Sequence, residues 1–400
     1  MPNIFMTIKL RMYPTKEQIK LFNQTIGCNR LLNNICLEQR KTYGHTYFKS
    51  RKITHFNQIK ELPALKKEFP FFKDVPSQSL QQTILDLNKA FTNFFKNPKH
   101  FKFPKFKKKG DKNSFRYPDL KQIKFKGLGK NNMDHIPGDK WNKERIKVYL
   151  PKIGDVKVIV HREIVGNWKS ATITEDGGQW YICILVEETL PDVYKLGNPL
   201  GLDLGVDKPA TTSDGEIFYL PRISKEERKK LARLQRTMTR RTKGGKNREK
   251  ARKKFAKLHA YFARKRKDAA HKMTTKIINS SNIVVKEALL VKNMTASAKG
   301  TKEKPGKNVR QKAGLNKAML EIAFGQIDTM LTYKGIWYCT ELIKVPAPGT
   351  SQTCSECLHR EKGNRISQAE FTCLKCGHNE NADVNAAKFI LIKGLKQREL

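Results

Sequence analysis

Two pairs of cysteines in the C-terminal part constrain this chain more tightly than any other feature. Cys354 and Cys357 are two residues apart, Cys373 and Cys376 likewise, and fifteen residues separate the pairs. Two such knuckles supply four thiolates, which complete a tetrahedral Zn(II) shell and leave no open position. The spacing predicts a closed, structural zinc ribbon in which His359 and His378 are adjacent but superfluous. An iron-sulfur cluster is the alternative, disfavoured by the two-residue spacing of both knuckles. Cys28, Cys36, Cys183 and Cys339 are scattered, so the cluster indicates metal in a reducing compartment rather than disulfides.

Charge is the second constraint. The 400 residues carry 80 Lys plus Arg against 37 Asp plus Glu, a formal +43. Such a chain repels itself unless it meets a polyanion, so the expected partner is nucleic acid, ahead of an anionic membrane surface. No apolar run approaches the roughly 18 residues of a spanning helix, and the opening MPNIFMTIKLRMYP lacks a signal peptide's apolar core. A cytoplasmic protein is expected. With 38% hydrophobic and 9% aromatic residues the chain can bury a real interior, which argues against wholesale disorder. Its length predicts two or three domains and excludes single modules and disulfide miniproteins.

The pattern changes along the chain. IFMTIKLRMY alternates as a strand and stops at Pro14, with a helix starting near Thr15. Helical spacing continues to about Phe95, most clearly where Leu80, Ile84, Leu87, Phe91 and Phe94 share one face. FKFPKFKKKGDKNSFRYP then interleaves Phe and Lys around prolines, which excludes helix. RIKVYL, VKVIVH, SATITED and WYICILVEE read as an antiparallel sheet or barrel with a hairpin turn at Asp176-Gly177-Gly178, followed by a linker around Pro191. A strand, a glycine turn and a second strand follow in NPLGLDLGVDKPATTSDGEIFYL. Ser224 to Ile278 reads as a helical hairpin broken at Gly244-Gly245, and residues 221–270 hold 21 Lys plus Arg against 4 Asp plus Glu. SNIVVKEALL is a buried strand, Asn293 to Lys312 a basic loop, GLNKAMLEIAFGQIDTMLTYKG one helix and IWYCTELIKVP a strand; a last helix starts near Ala382.

Acids are scarce here, so one inside an apolar strand calls for explanation. Asp203 sits in LGLDLGV, Glu287 ends the run IVVKE, and Asp383 opens the final helix in NADVNAAKFI. Phosphodiester hydrolysis uses hard divalent ions held by carboxylate oxygens, and a bound cation removes the cost of burying such groups. Each acid also has an ordinary reading: a salt bridge for Asp203, an exposed strand end for Glu287, a dipole-favoured helix acid for Asp383.

Taken together, LGLDLGVDKPATTSDG, IVVKEALLVKNM, the two CxxC pairs and NADVNAAKFIL, in this order, resemble the RuvC-like nuclease of the TnpB proteins. These are transposon-encoded RNA-guided DNA endonucleases related to the type V CRISPR effectors. LRMYPTKEQ, GCNRLLNN, LDLNKAFTNFF, FPKFKKKG, RLQRTMTRRTKGGKNREKARKKFAKLH and GLNKAMLEIAFGQIDTMLTYKG are similar to further family segments, so the resemblance covers nearly the whole chain. Gly349, Leu358, Phe324, Lys286 and Ala288 depart from the residues common in the family, and the ligand set is intact.

The resemblance implies a multidomain α+β chain. Residues 1–12 and 105–196 would form a wedge-like β-barrel and 13–104 an inserted helical recognition domain. Residues 197–348 and 381–400 would form an RNase H-like (RuvC) nuclease with a basic helical hairpin at 222–280, interrupted by a zinc ribbon at 349–380. It implies that Asp203, Glu287 and Asp383 hold two Mg(II) ions about 3.5–4 Å apart for two-metal hydrolysis, and that Cys354, Cys357, Cys373 and Cys376 hold one Zn(II). The implied partners are a guide RNA encoded elsewhere and target double-stranded DNA beside a short flanking motif, bound by a monomer acting at the prokaryotic nucleoid.

Candidate nucleic-acid contacts follow. Lys105, Lys107, Lys108, Lys109 and Arg116, interleaved with Phe103, Phe106 and Phe115, suit a phosphate-plus-stacking surface. Ser77, Gln78, Gln81 and Gln82 begin the polar side of a helix, and glutamine can pair bidentately with adenine in a major groove. Arg240, Arg241, Lys243 and Lys246 lie at the turn of the basic hairpin, expected along a heteroduplex channel. Two other functions compete with a guided nuclease: a cleavage-deficient RNA-guided DNA-binding protein, and an RNA-independent transposase or resolvase.

Overall fold

The alternating opening segment is a strand in the computed structural model, β1 (Asn3–Tyr13), which buries Ile8, Leu10 and Met12 on one face. Pro14 ends it and Thr15 caps the next element. The Thr15 hydroxyl accepts from the Gln18 amide at 3.3 Å while the Gln18 side chain accepts from the Thr15 amide at 3.0 Å, a reciprocal start for helix α1 (Lys16–Thr42). The structure describes residues 3–42, 53–111, 113–126, 144–162, 164–189, 195–301 and 303–399; the linker expected around Pro191 lies outside them. Among the described residues no helix is long and apolar enough to cross a membrane.

The chain divides into two compact units, Met1–Pro191 and Asp192–Leu400. In the first, α1 is followed by α2 (His55–Lys60), α3 (Leu62–Glu68) and α4 (Ser77–Lys96). Leu80, Ile84, Leu87 and Phe91 recur at helical spacing on α4 and pack into one cluster with Cys28, Leu32, Cys36 and Leu37 of α1. Each such side chain taken out of water contributes roughly 1.5–3 kcal/mol.

After these helices come β2 (Ser114–Tyr117), β3 (Lys124–Lys126), β4 (Glu144–Leu150), β5 (Gly154–Val160), β6 (Asn167–Asp176) and β7 (Gln179–Thr189). With β1 they make a seven-stranded antiparallel sheet in the order β2-β6-β7-β1-β5-β4-β3. The first strand is therefore the central one. The turn between β6 and β7 uses Gly177 and Gly178 at φ 58° and 78°, the two positive values that a tight right-twisted hairpin requires.

The second unit contains, in chain order, β8 (Asn198–Asp203), β9 (Ala210–Thr212), β10 (Ile217–Phe218), α5 (Lys225–Thr239), α6 (Lys246–Ser280), β11 (Ser281–Glu287), α7 (Val291–Met294), α8 (Val309–Ile322), α9 (Phe324–Trp337), β12 (Glu341–Val345), β13 (Glu370–Thr372), β14 (Asn379–Asn381) and α10 (Ala382–Glu399). Its five-stranded sheet runs β10-β9-β8-β11-β12, with β8, β11 and β12 parallel. Parallel strands must be covered on both faces. Leu202 and Val284 pack in one cluster with Met273 and Ile277 of α6 and Ile327 and Leu331 of α9, whereas Ile283, Val285 and Val345 pack with Ile390 of α10.

Two glycines let α10 lie directly on the sheet. A Cβ on Gly201 would stand 2.0 Å from the Ala387 carbonyl oxygen, and one on Gly394 would stand 2.2 Å from Val285 Cγ1. Either would push the helix off. The helical hairpin is broken where expected, with α5 opened by a capping box of Ser224 and Glu227 and α6 beginning after Gly245.

Three expectations need correction. The helix expected over 314–335 starts at Val309 and is split in two at Ala323, whose φ of 60° is left-handed. That conformation costs an alanine about 1–2 kcal/mol, so no local propensity would place a break there. The strand expected from Ile336 begins only at Glu341, because α9 runs through Trp337 and Cys339 turns at φ 51°. The loop expected over 293–312 is trimmed at both ends, by α7 and by α8.

Candidate functional site

Parallel register brings two of the three acids together. Val285 lies opposite Gly201 and Lys286 opposite Leu202, so Asp203 and Glu287 end adjacent strands at the same level. Gly201 and Val285, two residues earlier, face α10, and the alternation of a strand puts both carboxylates on that side. Asp383 stands in the first turn of α10. Residues 203, 287 and 383 thus gather at one end of the sheet although 84 and 96 positions separate them in turn.

Each acid has its own surroundings. Asp203 lies in a recess, and burial, reinforced by the charges of Glu287 and Asp383, pushes its carboxyl up to about 7 against the pull of Arg365 and the Leu204 amide. Glu287 is buried; desolvation raises its carboxyl, opposed by a hydrogen bond from the Thr350 hydroxyl and by the charge of Lys393. Asp383 is held from two sides, with Lys208 Nζ at 3.0 Å from Oδ2 and Arg365 Nη2 at 3.3 Å from Oδ1.

Lys208, Arg365 and Thr350 were not legible as site residues. Arg365 belongs to the insert between the cysteine pairs and Lys208 to the turn after β8, and only the fold brings them to Asp383. The site holds three carboxylates against the two cations paired with Asp383, and Asp203 is pushed up by burial first and by the charges of Glu287 and Asp383 second. Hard oxygen donors with uncompensated charge fit a divalent ion.

The cysteine cluster is assembled more tightly. Cys354 and Cys376 sulfurs are 3.7 Å apart, Cys357 and Cys373 sulfurs 3.5 Å, and all four lie within 4.8 Å of one another. A tetrahedron of 2.3 Å metal–sulfur bonds has edges of roughly 3.8 Å, so the thiols fit one tetrahedral ion. Both knuckles make the same turn: the Cys354 amide donates to His359 O and the Cys373 amide to His378 O. The left-handed position after each second cysteine is Leu358 at φ 60° and Gly377 at φ 72°. Asn385 joins this module to α10, accepting from the Ser355 amide and donating to Thr353 O, both at 2.9 Å. Among the described residues no trio of His, Asp or Glu donors is drawn in as closely as the thiols.

The candidate nucleic-acid contacts fare unevenly. Lys105, Lys107, Lys108 and Lys109 are exposed on a coil. Phe115, by contrast, is buried beside Phe22 and Tyr117, and Phe103 packs edge-on to Phe91 and Phe94; of the three rings proposed for stacking only Phe106 is exposed, with Lys41 Nζ 4.6 Å from its centre. The period of two in SFRY already carried that signal, since it turns Phe115 and Tyr117 inward and Arg116 outward. On α4, Ser77 accepts from Lys66, Gln81 is exposed, Gln82 donates to Asp86 at 2.7 Å, and Gln78 Oε1 is buried with no hydrogen-bond partner among the described residues. Arg116 also reaches Asp86, at 3.8 Å. Arg240, Arg241, Lys243 and Lys246 are exposed at the turn between α5 and α6.

Comparison with known proteins gives the family. Residues 181–298 match a family described as "Probable transposase", residues 324–390 a "Cas12f1-like, TNB domain", and residues 5–46 a "Helix-turn-helix domain", although the described part of that last segment is a strand and a single helix. The chain is 39% identical over 328 residues to an Escherichia coli (strain K12) protein named "Putative RNA-guided DNA endonuclease InsQ", covering 82% of this chain and 77% of that one. It is 30% identical to a Streptomyces pristinaespiralis protein named "Putative RNA-guided DNA endonuclease", over 99% of this chain and 90% of the relative. Among solved structures, the mini-RNA-guided endonuclease CRISPR-Cas_phi3 shares the fold with a TM-score of 0.51 at 9% identity, covering 98% and 92% of the two chains. The class so defined is a nuclease. Within it, the chain belongs to the TnpB family.

Proposed function

We propose that this chain is an RNA-guided, Mg(II)-dependent endonuclease that cuts double-stranded DNA next to a short flanking motif. The two relatives above carry the name "Putative RNA-guided DNA endonuclease", and the formal charge of +43 suits a polyanionic guide and target. In this reading the five-stranded unit is an RNase H-like nuclease, the cysteine module a zinc ribbon, and the seven-stranded sheet the wedge that holds RNA and the flanking duplex.

One observation carries the reading: Asp203 and Glu287 end adjacent parallel strands under the first turn of α10, which carries Asp383. Asp203, Glu287 and Asp383 would hold the magnesium. Two such ions supply an activated water and neutralise charge on the departing oxygen. The chain's own residues prepare the site. Thr350 fixes the Glu287 carboxylate, and Lys208 and Arg365 keep Asp383 extended over the strand ends. Cys354, Cys357, Cys373 and Cys376 would hold zinc and, through Asn385, brace the start of α10.

Asp203→Ala tests the proposal in the RNA-loaded protein. Cleavage of a matching duplex should fall by about 10³-fold or more, since the ions stabilise the transition state by several kcal/mol, while guided binding to the duplex persists. Cutting at a comparable rate by that variant in Mg(II) rules the assignment out.

A further inference from the structure

A cavity of about 70 Å³ lies in the second unit between the turn after β8, the start of α5, and the flanks of α6 and α8. Its apolar floor includes Val206, Leu220 and Ile322, and its rim carries Arg222, Arg228, Arg266 and Glu321. Two of the three guanidinium groups are engaged. Arg228 Nη2 is 2.9 Å from Glu321 Oε2, and Arg222 Nη2 donates to Val206 O at 2.7 Å and to Asp207 O and Oδ1 at 3.2 Å. Arg266 is half-buried and has no hydrogen-bond or ion-pair partner among the described residues. Three arginines face Asp207 and Glu321, which leaves one positive charge unmatched.

The unpaired guanidinium of Arg266, beside an apolar floor and flanked by two further arginines, leaves its donor fork free for an anion. The surroundings select which anion. Residues 221–270 hold 21 Lys plus Arg against 4 Asp plus Glu, so a polyanion is concentrated at this face. The planar fork of arginine matches the oxygens of a phosphate bidentately, and the low-dielectric floor strengthens those bonds.

We propose that this cavity is a backbone-phosphate subsite, taking one phosphodiester of the bound nucleic acid with Arg266 as its principal ligand and Arg222 and Arg228 donating from their unused N–H groups. The inference rests on the proposed function and deepens it. Arg222 also pins the turn between Asp203 and Lys208 through the Val206 and Asp207 carbonyls. Guide RNA and target DNA offer the same phosphodiester chemistry.

The test uses the full chain carrying Asp203→Ala, so that no strand is cut. Affinity is measured over a salt series, first for the RNA that copurifies with the protein, then for a matching DNA duplex binding to the RNA-loaded protein. Arg266→Gln should weaken one arm about tenfold and flatten its plot of log affinity against log salt by about 0.7–0.9, the counterions released by one phosphate. Arg266→Lys should keep the slope and lose part of the affinity, because charge remains and the fork is gone. The arm that flattens identifies the strand. If Arg266→Gln leaves both slopes unchanged, whether or not it lowers the melting temperature, the subsite is overturned. Full affinity in Arg266→Lys together with an effect of Arg266→Gln under twofold reduces Arg266 to diffuse charge and overturns it too. A parent protein that binds neither RNA nor duplex would instead sink the proposed function itself.

Discussion

The second unit contains two clusters of metal-type ligands built on opposite plans. The four thiols come from 23 consecutive positions and stand within 4.8 Å of one another, held by two matching backbone turns. The three carboxylates come from positions 203, 287 and 383, lie on two strands and a helix, and are kept in place by Thr350, Lys208 and Arg365. Soft ligands packed into a closed tetrahedron can only hold an ion, whereas hard ligands at a strand end leave coordination positions for substrate. The contrast is one between bracing and chemistry. It also explains why separate partners are needed: mutually repelling acids from remote positions require cations and donors from elsewhere, whereas the thiols are gathered by their own backbone turns.

The largest effects should separate the clusters. Asp383→Asn is expected to lower cleavage by about 10³-fold or more while leaving zinc content at one per chain and melting temperature within about 2 °C. Cys373→Ser should do the reverse at first, releasing the zinc and exposing residues 349–380 to proteolysis, with cleavage lost only as that module loosens. Metal analysis paired with limited proteolysis checks both. If Asp383→Asn emptied the zinc site, the two clusters would not be independent.

A smaller effect concerns pH in metal-free protein. Asp203 is pushed up to about 7 when folded, against 3.8 for an ordinary aspartate, so between these limits the folded chain binds more protons than the unfolded one. Stability therefore falls as pH rises from about 4 to 7, by a few kcal/mol in all, and stays low above 7. Denaturant melts across this range should show the decline, its flattening in Asp203→Asn, and its recovery at pH 8 on adding Mg(II). A metal-free protein that gains stability from pH 5 to 8 through this residue contradicts the electrostatic picture.

The smallest effect sharpens the thiol side. Leu358 occupies a left-handed position that glycine fills in the other knuckle, and it is 40% exposed, so little burial is lost on removal. Leu358→Gly should stabilise the module by about 1 kcal/mol, read as a rise of about 2–4 °C in melting temperature. A fall would show that the leucine side chain carries weight in that turn.

The two plans differ in the same way in how far the sequence disclosed them. Cysteine spacing alone pointed to the thiol cluster, because its ligands are local. Asp203, Glu287 and Asp383 stood out only as acids in apolar surroundings until their order resembled a family. Lys208 and Arg365 carried no local signal, because their relation to Asp383 is made by β8 and α10. The same division holds in the fold. Gly244-Gly245 and Gly177-Gly178 announced their turns through backbone chemistry, whereas Ala323 breaks a helix with a residue that favours helices, and only packing can impose it. Phe103 and Phe115 misled because alternation of Phe with Lys and Arg fits both a stacking platform and a half-buried edge.

The central claim is that three remote acids share two ions. Anomalous scattering from Mn(II) in crystals of the protein with bound RNA and DNA tests it most directly. The account predicts two peaks about 3.5–4 Å apart, held among Asp203, Glu287 and Asp383. Peaks lying elsewhere, in crystals of a complex that cuts its DNA when dissolved, would contradict it.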